Sequence, residues 1–139
     1  MGTHRSSIPE PRRRVVRICE SLPEVEVEEE GRHIGFLVRK KRFAWYLEDH
    51  RGDGRLSLNC KVETGANEVL ATSTPERYFI PPYLGPRGWI GFWLDVPTLD
   101  WREAAELIMD SYRLVAPKRL ADLVEKRTFE LPIDGKDAG

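Results

Sequence analysis

An α+β fold follows from three observations: apolar and polar residues alternate with period two through 24–62 and again at 89–95; helical-period stripes stand at both ends; and the turns between successive strands are too short for crossovers. The expected architecture is an antiparallel β-sheet of about five strands, covered on one face by N- and C-terminal helices. Residues 9–127 form a single domain in this reading, with flexible termini at 1–8 and 128–139.

The first helix begins near Pro9 or Pro11, because the fixed φ of proline suits a first helical turn. Val15, Ile18, Cys19 and Leu22 recur at helical spacing, leaving Arg12, Arg13, Arg14 and Arg17 mostly toward solvent, and Pro23 stops the helix. The period then becomes two. Val25 and Val27 alternate with Glu24, Glu26 and Glu28, and Ile34, Phe36 and Val38 alternate with Gly35, Leu37 and Arg39. Phe43, Trp45 and Leu47 alternate with Ala44, Tyr46 and Glu48, and Leu56, Leu58, Cys60 and Val62 with Ser57, Asn59 and Lys61. Polar turns at EGRH, RKKR and DHRGDGR join these four strands into a meander. A short helix follows Thr64 and Gly65, through Val69 and Leu70. The segment RYFIPPYLGPRG is proline-rich and reads as a rigid connector rather than a strand. WIGFWLD is the fifth strand, with Ile90, Phe92 and Leu94 on one face and Trp89, Gly91 and Trp93 on the other. Asp100 and Glu103 have the spacing of a capping box. The helix they open carries Trp101, Ala104, Ala105, Ile108, Tyr112 and Val115 on one stripe. Pro117 ends it and opens a last helix marked by Leu120, Leu123 and Val124.

Composition narrows the function. The 139 residues carry 22 Lys+Arg against 23 Asp+Glu, a formal charge of −1, with 40% hydrophobic residues. That balance excludes a histone-like polycation and wholesale disorder. No apolar run approaches the roughly 20 residues of a membrane-spanning helix. The start, MGTHRSSIPEPRRR, lacks the apolar core of a secretory signal. A cytoplasmic monomer with no membrane association is expected. Cys19 and Cys60 are too few and too far apart for a disulfide framework and read as core thiols. His4, His33 and His50 are not at ligand spacing from one another or from a cysteine, so no metal and no cofactor is expected. The acidic run Glu24, Glu26, Glu28, Glu29 and Glu30 reads as a solvated strand face rather than a cation site. GxSxG, GxGxxG and phosphate-binding glycine loops are all missing. No catalytic residues are assigned, and the reading leans against an enzyme.

Three features remain. Arg39, Lys40, Lys41 and Arg42 place four cations at a turn between strands, either a wing along a phosphate backbone or charges that deter edge pairing. Lys61 lies on the polar face of its strand, two residues from Asn59, where a cation and an amide suit phosphate contact or simply solvent. PPYLGPRGW presents Arg87 and Trp89 from a rigid loop with Tyr83 nearby. A planar cation beside aromatics can stack on a base or clamp a phosphate, or the aromatics can plug a structural corner.

The segments VRKKRFAWY, LSLNCKV, YFIPPYLGPRGWIGFWLD and DWREAAELIMDSYRLVAPKRL, in this order and spacing, resemble the MmcQ/YjbR family from about Pro9 to Leu123. The most specific parts are Lys41, Phe43 and Ala44; Lys61; Tyr83 with Arg87-Gly88-Trp89; and Ser111-Tyr112 followed by Lys118. The resemblance implies a frataxin-like α+β fold and a double-wing surface proposed to bind DNA, with Lys41, Lys61, Arg87 and Lys118 as contacts. The arginines of the first helix and the acidic first strand depart from an iron-binding frataxin and from a uniformly basic surface, respectively.

The resulting expectation is a DNA-binding accessory or regulatory protein. Arg39, Lys40, Lys41, Arg42, Lys61, Arg87 and Lys118 would contact phosphates, and Tyr83 and Trp89 would stack or support. The alternative is a small-molecule or anion-binding domain with a pocket around Lys61, Arg87 and Lys118. A third reading is a protein-interaction module that uses an exposed tryptophan face.

Overall fold

The computed structural model describes residues 10–126; the expectations for 1–8 and 128–139 lie outside them. The chain forms α1 (Glu10–Glu20), β1 (Val25–Glu30), β2 (His33–Val38), β3 (Lys41–Glu48), β4 (Leu56–Lys61), α2 (Ala66–Ser73), β5 (Tyr78–Phe79), β6 (Trp89–Trp93), α3 (Trp101–Val115) and α4 (Lys118–Lys126). The strands make one antiparallel sheet in the order β1-β2-β3-β4-β6-β5. The class is the α+β arrangement expected from the sequence. The sheet has six strands instead of about five, because Tyr78 and Phe79 at the head of the proline-rich segment pair with Phe92 and Gly91. Their position at the sheet edge explains how prolines can follow immediately.

The core lies between one sheet face and the helices. Ile34, Phe36, Val38, Tyr46, Leu58, Cys60, Ile90 and Phe92 from the sheet meet Val15, Ile18, Cys19, Ala104, Ala105, Ile108, Tyr112 and Leu120 from the helices. Both cysteines sit here, and burial pushes the Cys60 thiol up to about 12 and Cys19 upward as well, so neither is a poised nucleophile.

Strand β3 departs from its expected phase. Phe36 pairs with Ala44 but Leu37 pairs with Arg42, so Phe43 is an extra, bulged residue. Beyond the bulge Ala44 and Tyr46 face the core together with Phe43, while Trp45 and Leu47, expected to share a face with Phe43, lie on the opposite one. Simple alternation cannot reveal a bulge, because its signal is a phase slip in which both faces are apolar.

The expected capping box of α3 is half formed. The Asp100 carboxylate accepts from the Arg102 amide at 2.9 Å, but Glu103 turns away, accepting from the Tyr78 hydroxyl at 2.6 Å and pairing with Arg77. Two further bonds tie α3 to the sheet end: Ser111 Oγ donates to the Lys61 carbonyl at 2.5 Å, and the Tyr112 hydroxyl donates to the Pro23 carbonyl at 2.7 Å.

The start of β4 is fastened to the end of β6 by Asp95. Its carboxylate accepts three bonds from the Arg55 guanidinium, two from Nε and one from Nη2, and one from the Leu56 amide at 2.9 Å. Burial opposes ionisation of Asp95, yet these bonds prevail and hold its pKa below the usual carboxylate range. A depressed carboxyl contributes stability that is present above the unfolded pKa of about 3.9 and is lost as pH falls through the folded value. Asp95→Asn is therefore expected to cost about 1 kcal/mol at neutral pH, Arg55 being partly solvated. In thermal melts the difference from wild type should shrink below about pH 4. A penalty unchanged at acid pH would rule out this charge effect.

Candidate nucleic-acid interface

Antiparallel pairing decides which cations meet. The β2–β3 turn, the last residue of β4 and the first of β6 all fall at one end of the sheet, since Val38 pairs with Lys41 and Lys61 with Trp89. The structure thus gathers Arg39, Lys40, Lys41, Lys61 and Arg87 at that end.

The turn itself is two residues, Arg39 and Lys40, with φ of 51° and 66°. Positive φ at both central positions is the type I′ hairpin geometry, which normally selects Asn-Gly because a Cβ is strained there. Lys41 and Arg42 already belong to β3. Arg39 is held by a forked pair to Glu24, at 2.6 and 3.3 Å, which keeps the Glu24 pKa below its ordinary value. Arg42 leaves the turn, pairs with Glu28 and lies over the Trp45 ring at 4.3 Å. Lys40 and Lys41 are exposed and make no ion pair to a described residue.

Lys61 and Arg87 are joined directly: Lys61 Nζ donates to the Arg87 carbonyl at 2.6 Å, and the Val62 amide to the Gly88 carbonyl at 2.8 Å. Gly88 takes φ of 87°, the left-handed conformation that ends the Gly85–Arg87 turn. Asn67 holds this loop from below. Its buried amide nitrogen donates to the carbonyls of Gly85 and Trp89 at 3.0 and 3.1 Å. The result is an open cleft of about 880 Å³ between Lys61, Gly65, Asn67, Arg87 and Gly88, with Glu63 and Glu68 also on its wall.

The other candidates separate from this centre. Lys118 pairs with Asp122 at 2.9 Å and does not line the cleft. Trp89 is buried and supports the loop rather than presenting a ring. Tyr83 is 72% exposed, with the Arg51 guanidinium over its ring at 4.8 Å and a bond from Arg51 lowering its pKa. Sequence reasoning missed Asn67, Arg51 and Arg55. Asn67 stands one residue after a glycine-headed helix start, a weak signal, and nothing local marks the two arginines. Among the described residues no group of histidines, cysteines and carboxylates could hold a metal, and no helix is long and apolar enough to cross a membrane.

The Lys41, Lys61 and Arg87-Gly88-Trp89 constellation lies within the stretch matched by the family model YjbR, residues 20–114. The chain belongs to the YjbR family. The match runs from the last residue of α1 nearly to the end of α3, and so takes in the whole sheet. Among solved structures, a Deinococcus radiodurans protein, DR2400, with a DUF419 domain is similar in fold. Its identity is 22% over 89% of this chain and 85% of that one, with a TM-score of 0.59. No curated protein matches. In the terms of the YjbR family, then, the resemblance carried by VRKKRFAWY and PPYLGPRGW rests on residues that converge at one sheet end.

Proposed function

We propose that this YjbR-family protein is a DNA-binding accessory protein, acting as a cytoplasmic monomer, whose phosphate contacts come from Lys40, Lys41, Lys61 and Arg87. The observation that carries the reading is the β2–β3 turn. A type I′ turn built from arginine and lysine, in place of Asn-Gly, keeps two cations where the backbone resists them, and such strain gathers at sites with a function. Arg39, Arg42 and Lys118 stand behind these four: each is engaged with a carboxylate that a phosphate would have to replace. The net charge of −1 is compatible with binding because the glutamates beside the turn are engaged, Glu24 with Arg39 and Glu28 with Arg42, while Lys40 and Lys41 stay exposed.

The test is anisotropy of a labelled duplex titrated with the full chain at about 50 mM salt, where phosphate contacts are least screened. Saturable binding is expected; its absence at this salt, for the duplex and for its separate strands alike, would end the reading. One specific observation favours a second reading, an anion-binding cleft: Lys61 and Arg87 line the same depression at the head of α2. If duplex fails to bind while inorganic phosphate or pyrophosphate raises the melting temperature, and Arg87→Gln removes that rise, the cleft is the site.

A further inference from the structure

The sheet face away from the helices carries an aromatic surface. On β3 it presents Trp45, on β6 Trp93, and on β5 Phe79, whose ring crosses Gly91 so closely that any Cβ there would collide with it. Phe79 stacks on Trp93, with centroids 4.1 Å apart and planes at 23°. A guanidinium lies on two of these rings: Arg42 over Trp45 at 4.3 Å and Arg55 over Trp93 at 3.7 Å. Flat cations on flat rings are the arrangement that a nucleobase can join or replace by stacking.

Trp45 is flanked by two polar atoms without partners. Asn59, directly opposite it on β4, is 1% exposed; its amide nitrogen donates to Ser57 Oγ at 3.0 Å, and its Oδ1 has no partner. On the other side Arg42 Nε, lying across Gly35, is buried and unpaired. Among the described residues only one other buried side-chain atom lacks a partner, Arg77 Nε, beside Glu103. Burying a polar atom without a partner is unfavourable, so an acceptor and a donor left unpaired on either side of one indole ask for a ligand that supplies both complements. A heterocycle with adjacent N–H and C=O or ring-nitrogen groups does so, and the Asn amide is a recognised reader of base edges.

This surface is continuous with the basic end, because Lys61 is the next outward residue after Asn59 on β4 and Trp89 the next beside Gly91 on β6. The Arg51–Tyr83 contact joins the β3–β4 loop to the β5–β6 loop, which spring from opposite ends of the sheet, and both residues take positive φ. On the far side the paired Glu28 and the other β1 glutamates confine an anionic chain to β3, β4 and β6.

We propose that this aromatic face binds unpaired nucleobases of a single-stranded nucleic acid, stacking on Trp45 and reading a base edge with Asn59, while the backbone runs to Lys61 and Lys41. The inference rests on the phosphate-contact reading above and narrows it from duplex to single strand.

The experiment uses the full chain with oligo(dA) and oligo(dT) of about 12 nucleotides, within the span of one binding module, separately and as the duplex they form. Tryptophan emission and anisotropy are the readouts. Expected are tighter binding of a single strand than of the duplex, quenching of emission, and a preference between the two homopolymers. Trp45→Leu should weaken single-strand binding about 5- to 150-fold, the contribution of one base–aromatic stack. Asn59→Leu removes the orphaned oxygen, so it should fold at least as well as wild type while losing the preference, which keeps the test valid if Trp45→Leu does not fold. Duplex bound as tightly as single strand with unchanged emission, or variants with no effect, would overturn the inference and leave the basic end standing. Binding of neither form would overturn both.

Discussion

Replacing Phe43 with alanine is expected to lower the unfolding free energy by about 3–5 kcal/mol, the range for emptying a buried phenyl site. Phe43 is fully buried and meets Tyr112 edge to face, with centroids 5.5 Å apart and planes at 90°. It is also the bulged residue of β3, so its packing sets the phase in which Lys41 and Arg42 leave the turn and Trp45 faces outward. The loss combines transfer of the ring, the cavity it leaves and an aromatic pair contributing about 0.5–1.5 kcal/mol. Phe43→Leu keeps most of the volume and should cost less than about 1.5 kcal/mol. Urea unfolding monitored by circular dichroism measures both. A loss below about 1 kcal/mol for the alanine variant would mean that the bulge is not anchored by this ring.

The second large effect concerns the turn. Lys40→Glu with Lys41→Glu should weaken duplex binding by about two orders of magnitude at low salt, by removing two phosphate contacts and adding repulsion. Stability should change by no more than about 0.5 kcal/mol, since both residues are exposed and glutamate is no better suited than lysine to positive φ. Lys40→Gly removes the strain together with one charge. Glycine accepts φ of 66° without a Cβ clash, so this variant should gain about 1 kcal/mol of stability while losing affinity. Stability raised at the expense of binding is the signature of a turn held in an unfavourable conformation for function. Equal affinity in both variants and wild type would show that the turn does not touch nucleic acid.

Much of the fold was legible because its signals are local. The stripe of Val15, Ile18 and Cys19 and the alternation of Leu58 and Cys60 place those residues in the core where the structure has them. The failures share one cause, interactions distant in sequence. The two-residue strand at Tyr78 exists only because Phe92 and Gly91 lie alongside, and Glu103 abandons its capping role for a tyrosine 25 residues away. The bulge at Phe43 depends on a ring from α3.

The site divides in the same way. Four adjacent cations advertise themselves, but whether they share a surface with Lys61 and Arg87 depends on strand register, which brings them to one end, and on ion pairs, which engage Arg39 and Arg42. Lys118 looked equivalent in sequence and is not, because one helical turn delivers Asp122 to it. The outward position of Trp45 could not be read at all without the bulge.

The central claim is that the basic end contacts phosphates, and the salt dependence of duplex affinity tests it most directly. Four contacts, from Lys40, Lys41, Lys61 and Arg87, predict a slope of log affinity against log salt of about −3 to −4, at roughly −0.9 per contact. The Lys40→Glu/Lys41→Glu variant should flatten that slope by about two units. A duplex affinity that does not respond to salt, or a slope that the variant leaves unchanged, would contradict the assignment.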